Sequence, residues 1–277
     1  MHLRLIVTAL ALTRLSFAQI PQPNVDFALM TWPELKHAIH DEGRTTALIY
    51  NGGTEQRGPQ GVTGAHTFVA HDIGVLIAQK LGNAILAPTI PFSPNRANPN
   101  LPGTIGISPA LFAQLNEEVA EQLITNGFKS VVLMGDHGGG QKELAEVAKK
   151  LDTKYSGSGV RVVYCDDVYA KVGVDFDKWL EENHLPVGAH AAIKDTSELL
   201  YLGGDRNWVR KDQISIAVGR PLPKPGERHI FQEGGNGIVG DARPSTPEIG
   251  KRVVDLKVDY AVAQIRSLLA PQAIAKN

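Results

Sequence analysis

Apolar residues in this chain fall into short unbroken runs, separated by segments in which they recur at helical spacing. Thr45 to Tyr50 (TTALIY) and Ser130 to Met134 (SVVLM) are β-branched runs that end on glycine-rich stretches, which predicts buried strands leading into turns. Asn83 to Ala87 and Val160 to Tyr164 predict two more strands. Helical spacing predicts helices over Trp32 to Asp41, Ile73 to Leu81, Pro109 to Asn126, Glu143 to Leu151 and Pro247 to Leu269. Five prolines between Pro88 and Gly103 forbid regular structure there and predict a long ordered loop. Strands that are apolar throughout and alternate with helices predict a mainly parallel sheet covered on both faces. Ligands of such sheets sit beyond the carboxyl ends of the strands. Two polar, glycine-rich turns fall at that edge, Asn51 to Gly64 and Gly135 to Gln141.

Charge and cysteine content narrow the function. The 277 residues hold 28 Lys plus Arg against 29 Asp plus Glu, a net charge of −1. Without a basic excess to neutralise phosphates, no nucleic-acid partner is expected. The single cysteine, Cys165, excludes an internal disulfide and a Cys-based metal cluster, and its place after a β-branched strand predicts a buried small hydrophobe. At the N-terminus, Arg4 precedes the apolar stretch Leu5 to Leu12 and the small residues Ser16 and Ala18. This reads as a secretory signal over residues 1–18 and one exported domain over 19–277, periplasmic or extracellular. No later segment reaches the ~18 consecutive apolar residues of a membrane helix, so no membrane partner is expected once the signal is removed.

Residues suited to metal chemistry gather in three segments. Glu55 and Arg57 stand in the first turn, with His66 eleven residues after Glu55. The second turn reads Gly135-Asp136-His137-Gly138-Gly139-Gly140-Gln141, and a third segment runs from His190 through Asp195 to Glu198. Carboxylate oxygens and neutral imidazoles together suit Zn²⁺, Mn²⁺ or Fe²⁺, and a hydrolytic site needs three protein ligands and an open position. Glycines around His137 let backbone approach a substrate and offer N–H donors to an oxyanion. Asp136 reads equally well as an orienter of a neighbouring imidazole or as a turn residue. Glu198 reads as facing solvent; His71 and Asp72 are reserve ligands, but ahead of a helix opening at Ile73 they read rather as capping or surface groups.

These motifs resemble the creatininase (creatinine amidohydrolase) family in order and spacing. The resemblance rests on Gly53-Thr54-Glu55-Gln56-x-Gly58-Pro59, Pro102-Gly103-Thr104-Ile105, Gly135-x-His137-Gly138-Gly139, His190-Ala191 with Asp195-Thr196-Ser197, and Gly240-Asp241 through Thr246-Pro247-Glu248-Ile249-Gly250. It covers Leu48 to Leu269. It implies a three-layer α/β/α sandwich with a mostly parallel central sheet, assembled as a homo-oligomer, often a hexamer. It also implies one or two divalent metals, commonly Zn²⁺ or Mn²⁺, and hydrolysis of amide C–N bonds, often in cyclic small molecules.

The departures from the family pattern bear on the metal count. Family members carry a His ligand where this chain has Arg57, a bridging Asp where it has His66, and Glu where it has Asp195. A guanidinium cannot ligate a cation and repels one nearby. The resemblance therefore implies one divalent ion per chain, Zn²⁺ or Mn²⁺ with Fe²⁺ as a further option, held by Glu55, His66, His137 and Asp195. A metal-activated water would attack an amide carbonyl, Gly138 and Gly139 would contact the substrate, His190 would shuttle the proton, and Arg57 would bind a substrate carboxylate. Two alternatives stand beside this reading. One is a non-catalytic metabolite- or sugar-binding member with a degenerate centre; the other is a C–C hydrolase of cyclic polyols or diketones.

Overall fold

The computed structural model describes residues 23–222 and 235–271, so the segment read as a secretory signal lies outside the described residues. Four parallel strands, β1 (Thr46–Asn51), β2 (Ala84–Leu86), β3 (Ser130–Gly135) and β4 (Arg161–Tyr164), form one sheet in the order β2-β1-β3-β4. β1 and β3 are level with one another: Thr46 pairs with Ser130 and, at the carboxyl end, Asn51 pairs with Gly135. Among the described residues seven α-helices surround the sheet: α1 (Trp32–His40), α2 (Ala65–Leu81), α3 (Pro109–Thr125), α4 (Gln141–Lys154), α5 (Ala170–Glu182), α6 (Ile193–Gly203) and α7 (Pro247–Leu269). Among the described residues, no helix is long and apolar enough to cross a membrane.

Strand alternation divides the core in two. Leu48, Tyr50, Val132 and Met134 point to the face covered by α2 and α7, where Val69, Ile73, Val258 and Ile265 meet them. Ala47, Ile49, Val131 and Leu133 point to the other face, against α1, α3 and α4 through Ile39, Phe112 and Leu144. Every residue of β1 is buried, as expected for a strand enclosed on both faces. The expected parallel sheet between helical layers is the one observed.

α2, α5 and α6 differ from the patterning. α2 opens at Ala65, eight residues ahead of the predicted start, because Gly64 caps it without a side-chain hydrogen bond and so leaves no sequence mark. His71 and Asp72 are consequently mid-helix residues; His71 Nε2 meets Asp26 Oδ2 at 2.8 Å, away from the turns at the sheet edge. α5 arises where no helix was predicted and buries Val172, Phe176 and Leu180 at four-residue spacing. By contrast, α7 matches its predicted bounds, with Thr246 Oγ1 accepting from the Ile249 N–H at 3.2 Å and Pro247 in the first turn.

Candidate metal centre

Beyond Asn51 and Gly135, the chain leaves the sheet in two turns that face each other. Gly52 lets the first turn run close to α2: a Cβ there would lie 2.5 Å from the Thr67 Cα. This close approach brings His66, in the first turn of α2, up to Glu55. The Glu55 carboxylate lies between two imidazoles, with Oε1 3.0 Å from His66 Nε2 and Oε2 3.2 Å from His137 Nε2. One ligand atom from each of Glu55, His66 and His137 lies within 4.8 Å of the others. Asn95, from the proline-rich loop, donates Nδ2–H to Glu55 Oε2 at 2.7 Å.

The far nitrogen of each imidazole is also engaged. His66 Nδ1 meets Asp136 Oδ2 at 2.6 Å. His137 Nδ1 lies 2.9 Å from the Gly139 amide nitrogen and 3.2 Å from the Gly139 carbonyl oxygen. His190 turns Nε2 to the Gln56 carbonyl oxygen at 2.9 Å and Nδ1 toward Glu55 Oε1 at 3.5 Å. The Gln56 carbonyl and the Glu55 carboxylate both accept only, and the Gln56 side-chain amide nitrogen also lies 3.1 Å from His190 Nε2.

Arg57 is buried against this group. Its Nη1 donates to Asp195 Oδ2 at 2.5 Å, its Nη2 contacts His66 Nε2, and the same Nη2 lies 3.6 Å from Glu55 Oε1. Electrostatics follow from these contacts. Burial raises the Glu55 pKa, but hydrogen bonds from His137 and His66 and the charge of Arg57 outweigh it and hold the carboxyl well below its ordinary range. Burial likewise opposes ionisation of Asp195, and Arg57 overcomes it, bringing the carboxyl down to about 2. Burial, aided by the Arg57 charge, pushes His190 down to about 4. A cavity of about 240 Å³ opens on the group, with Tyr169, Lys194 and Gly138 among its walls.

A family model described as creatininase, creatinine amidohydrolase, matches residues 28–265. The chain belongs to the creatininase family. Solved creatininases share its fold. A crystal structure of creatinine amidohydrolase superposes with a TM-score of 0.70 at 17% identity, covering 90% of this chain and 99% of that one. A creatininase with Mn gives 0.69 at 18% identity, covering 90% and 100%. A mutant creatininase of Zn-Zn type gives 0.69 at 18% identity, covering 90% and 99%. A comparison with curated proteins returned no match.

The three grouped residues of this creatininase-family chain offer the donors for one divalent cation, whose binding would displace the contact of Arg57 Nη2 with His66 Nε2. A carboxylate with two imidazoles is a known zinc donor set, and tetrahedral donors at metal distances of about 2.0–2.2 Å are roughly 3.4 Å apart. The separations of 3.0 and 3.2 Å from Glu55 to the two imidazoles, each from a different carboxylate oxygen, are close to that spacing, and one ligand atom from each residue lies within 4.8 Å of the others. Of the residues expected to bind metal, Glu55, His66 and His137 are thus brought together. Asp195 stands outside the group, its Oδ2 shared between Arg57 and the Ala191 N–H at 2.8 Å. Gly138 lines the cavity; Gly139 does not line it, and its N–H is directed to His137. Of its two readings, orienter of an imidazole or turn residue, Asp136 takes the first, buried as the partner of His66, whereas Glu198, expected at the surface, is 3% exposed. Asn95 and Lys257 went unmarked, because a polar residue in a loop and a lysine on a helix carry no distinguishing sequence signal.

Proposed function

We propose that the chain is a metal-dependent amidohydrolase that cleaves a C–N amide bond of a small, open or cyclic substrate, with one Zn²⁺ or Mn²⁺ held by Glu55, His66 and His137. The observation that carries this reading is the Glu55 carboxylate, buried between two imidazole Nε2 atoms at 3.0 and 3.2 Å. Membership of the creatininase family supports it, as do the Mn and Zn-Zn forms of structurally similar creatininases. Bound there, the cation lowers the pKa of water and polarises a carbonyl oxygen.

The side chains divide the remaining work. Asp136 fixes the ring of His66, and Asn95 fixes the Glu55 carboxylate. His190 is neutral at working pH, with its pKa near 4, and is the residue that takes a proton and returns it to the leaving nitrogen. Its low basicity suits the return. Arg57 is committed to Asp195 and keeps that carboxylate and Glu55 ionised, which leaves room for one metal and assigns Asp195 to the guanidinium. The cavity of about 240 Å³ falls below the roughly 300–1,000 Å³ of drug-sized pockets, so a substrate of metabolite size is favoured.

Metal content and amide cleavage test this together. Elemental analysis of the purified protein should give about one transition metal per chain, lost in His66→Ala and His137→Ala. Creatinine and small lactams should be screened for release of the ring-opened product. Wild type without bound metal would sink the proposal, and a metal-loaded protein that retains a metabolite without cleaving any amide would make it a binding member.

A further inference from the structure

A row of buried charges runs from the C-terminal helix to the centre. Lys257 of α7, 4% exposed, places Nζ 2.7 Å from Asp136 Oδ1 and 2.6 Å from Glu198 Oε1. Asp136 Oδ2 meets His66 Nδ1 at 2.6 Å, and the Tyr50 hydroxyl donates to Asp136 Oδ1 at 3.4 Å. Around Lys257, α7 buries Val253, Val254, Val258 and Ala261, a face on which a leucine or methionine would need no partner. A buried ammonium is costly unless it is paired, and a buried ion pair is weak support for stability by itself.

The charge has a specific effect on His66. With Oδ1 held by Lys257, Asp136 presents Oδ2 as an ionised acceptor, and only a protonated Nδ1 can donate to it. Since Nδ1 keeps its proton, Nε2, which otherwise donates to Glu55 at 3.0 Å, is the atom that would lose its proton and offer a lone pair to a cation. We infer that Lys257, acting through Asp136, is a positioning residue that locks His66 as the Nδ1–H tautomer with Nε2 turned to the metal position, so that metal affinity is set in part from the C-terminal helix. The inference rests on the metal centre proposed above. It differs from a structural role, in which the same charges only join α7 to the turn after β3 and to α6.

The test is the Zn²⁺ affinity of the full chain, measured by chelator competition, in wild type, Lys257→Met, Lys257→Arg, Asp136→Asn and Val258→Ala. Lys257→Met and Asp136→Asn should weaken Zn²⁺ binding by about 10–100-fold, the range for partners of metal-bound imidazoles. Lys257→Arg should recover most of the loss. Val258→Ala removes packing from the same helix without touching Asp136, and should lower the melting temperature while leaving Zn²⁺ affinity unchanged. Wild-type affinity in Lys257→Met, or an equal loss in Val258→Ala, overturns the inference and leaves the metal reading intact. Wild type that binds no Zn²⁺ overturns both. Should Lys257→Met not fold, long-range ¹H–¹⁵N spectra of the Zn²⁺-loaded wild type decide the matter, with His66 assigned by comparison with His66→Ala. A proton on Nδ1 supports the inference, and one on Nε2 refutes it.

Discussion

Arg57 Nη1 donates to Asp195 Oδ2 at 2.5 Å, joining the turn after β1 to the first turn of α6 across 138 residues of chain. The guanidinium also faces Glu55, so a fixed cation stands between two carboxylates that could otherwise share a metal. Arg57→His removes this cation and supplies a ligand in its place. Metal content by elemental analysis should rise from one toward two ions per chain. A content that stays at one would show that the guanidinium is not what limits the count.

Arg57→Ala leaves Asp195 buried without its partner. Removing one member of a buried pair costs about 3–5 kcal/mol, and urea unfolding of this variant should show a loss of that order. The destabilisation should shrink when Asp195→Asn is added, since the uncompensated charge is then gone.

Gly139 holds the proline-rich loop against the His137 turn. A Cβ at this position would lie 2.2 Å from the Pro94 carbonyl oxygen, and the next loop residue is Asn95, the donor to Glu55. Gly139→Ala should therefore cost about 1–3 kcal/mol of stability by overpacking and also weaken Zn²⁺ binding. Asn95→Ala should reproduce the weaker binding with a smaller loss of stability. Thermal unfolding and chelator competition separate the two effects.

Two groups predict how stability changes in acid. Burial, with the Arg57 charge, lowers His190 to about 4 in the folded protein, against about 6.5 for an unperturbed imidazole. The unfolded chain binds this proton first, so the contribution of His190 is full above about pH 6.5 and lost as pH falls toward 4. Asp195 adds a second decline at lower pH, between its ordinary 3.8 and about 2. Unfolding free energies measured from pH 7 to 4 should fall less steeply in His190→Gln than in wild type. Equal slopes would exclude a buried, neutral His190.

Much of this architecture was legible because the core strands are apolar on both faces and the long C-terminal helix begins with Thr246-Pro247. The start of α2 is not legible, because its glycine cap leaves no polar side chain to mark it. Glu55, His66 and His137 were legible from their place after strands and from the motifs around them. Lys257 and Glu198 were not: a charged helical residue ordinarily faces water, and the reason for burying Lys257 is Asp136, 121 residues away. Arg57 was legible as a departure, but not its partner, since nothing local to Asp195 announces a guanidinium from another turn.

The level pairing of Asn51 with Gly135 makes the sheet a ruler for the chemistry at its edge. Glu55 and His137 are launched from the same rung, and one residue of strand spans about 3.3 Å. Adding or deleting a residue within β1 or β3 would offset the two turns by as much as the whole Glu55–His137 contact, and would turn the strand's side chains to the opposite face. Length changes in this protein can be absorbed by the outer loops, whereas the two central strands must keep their count.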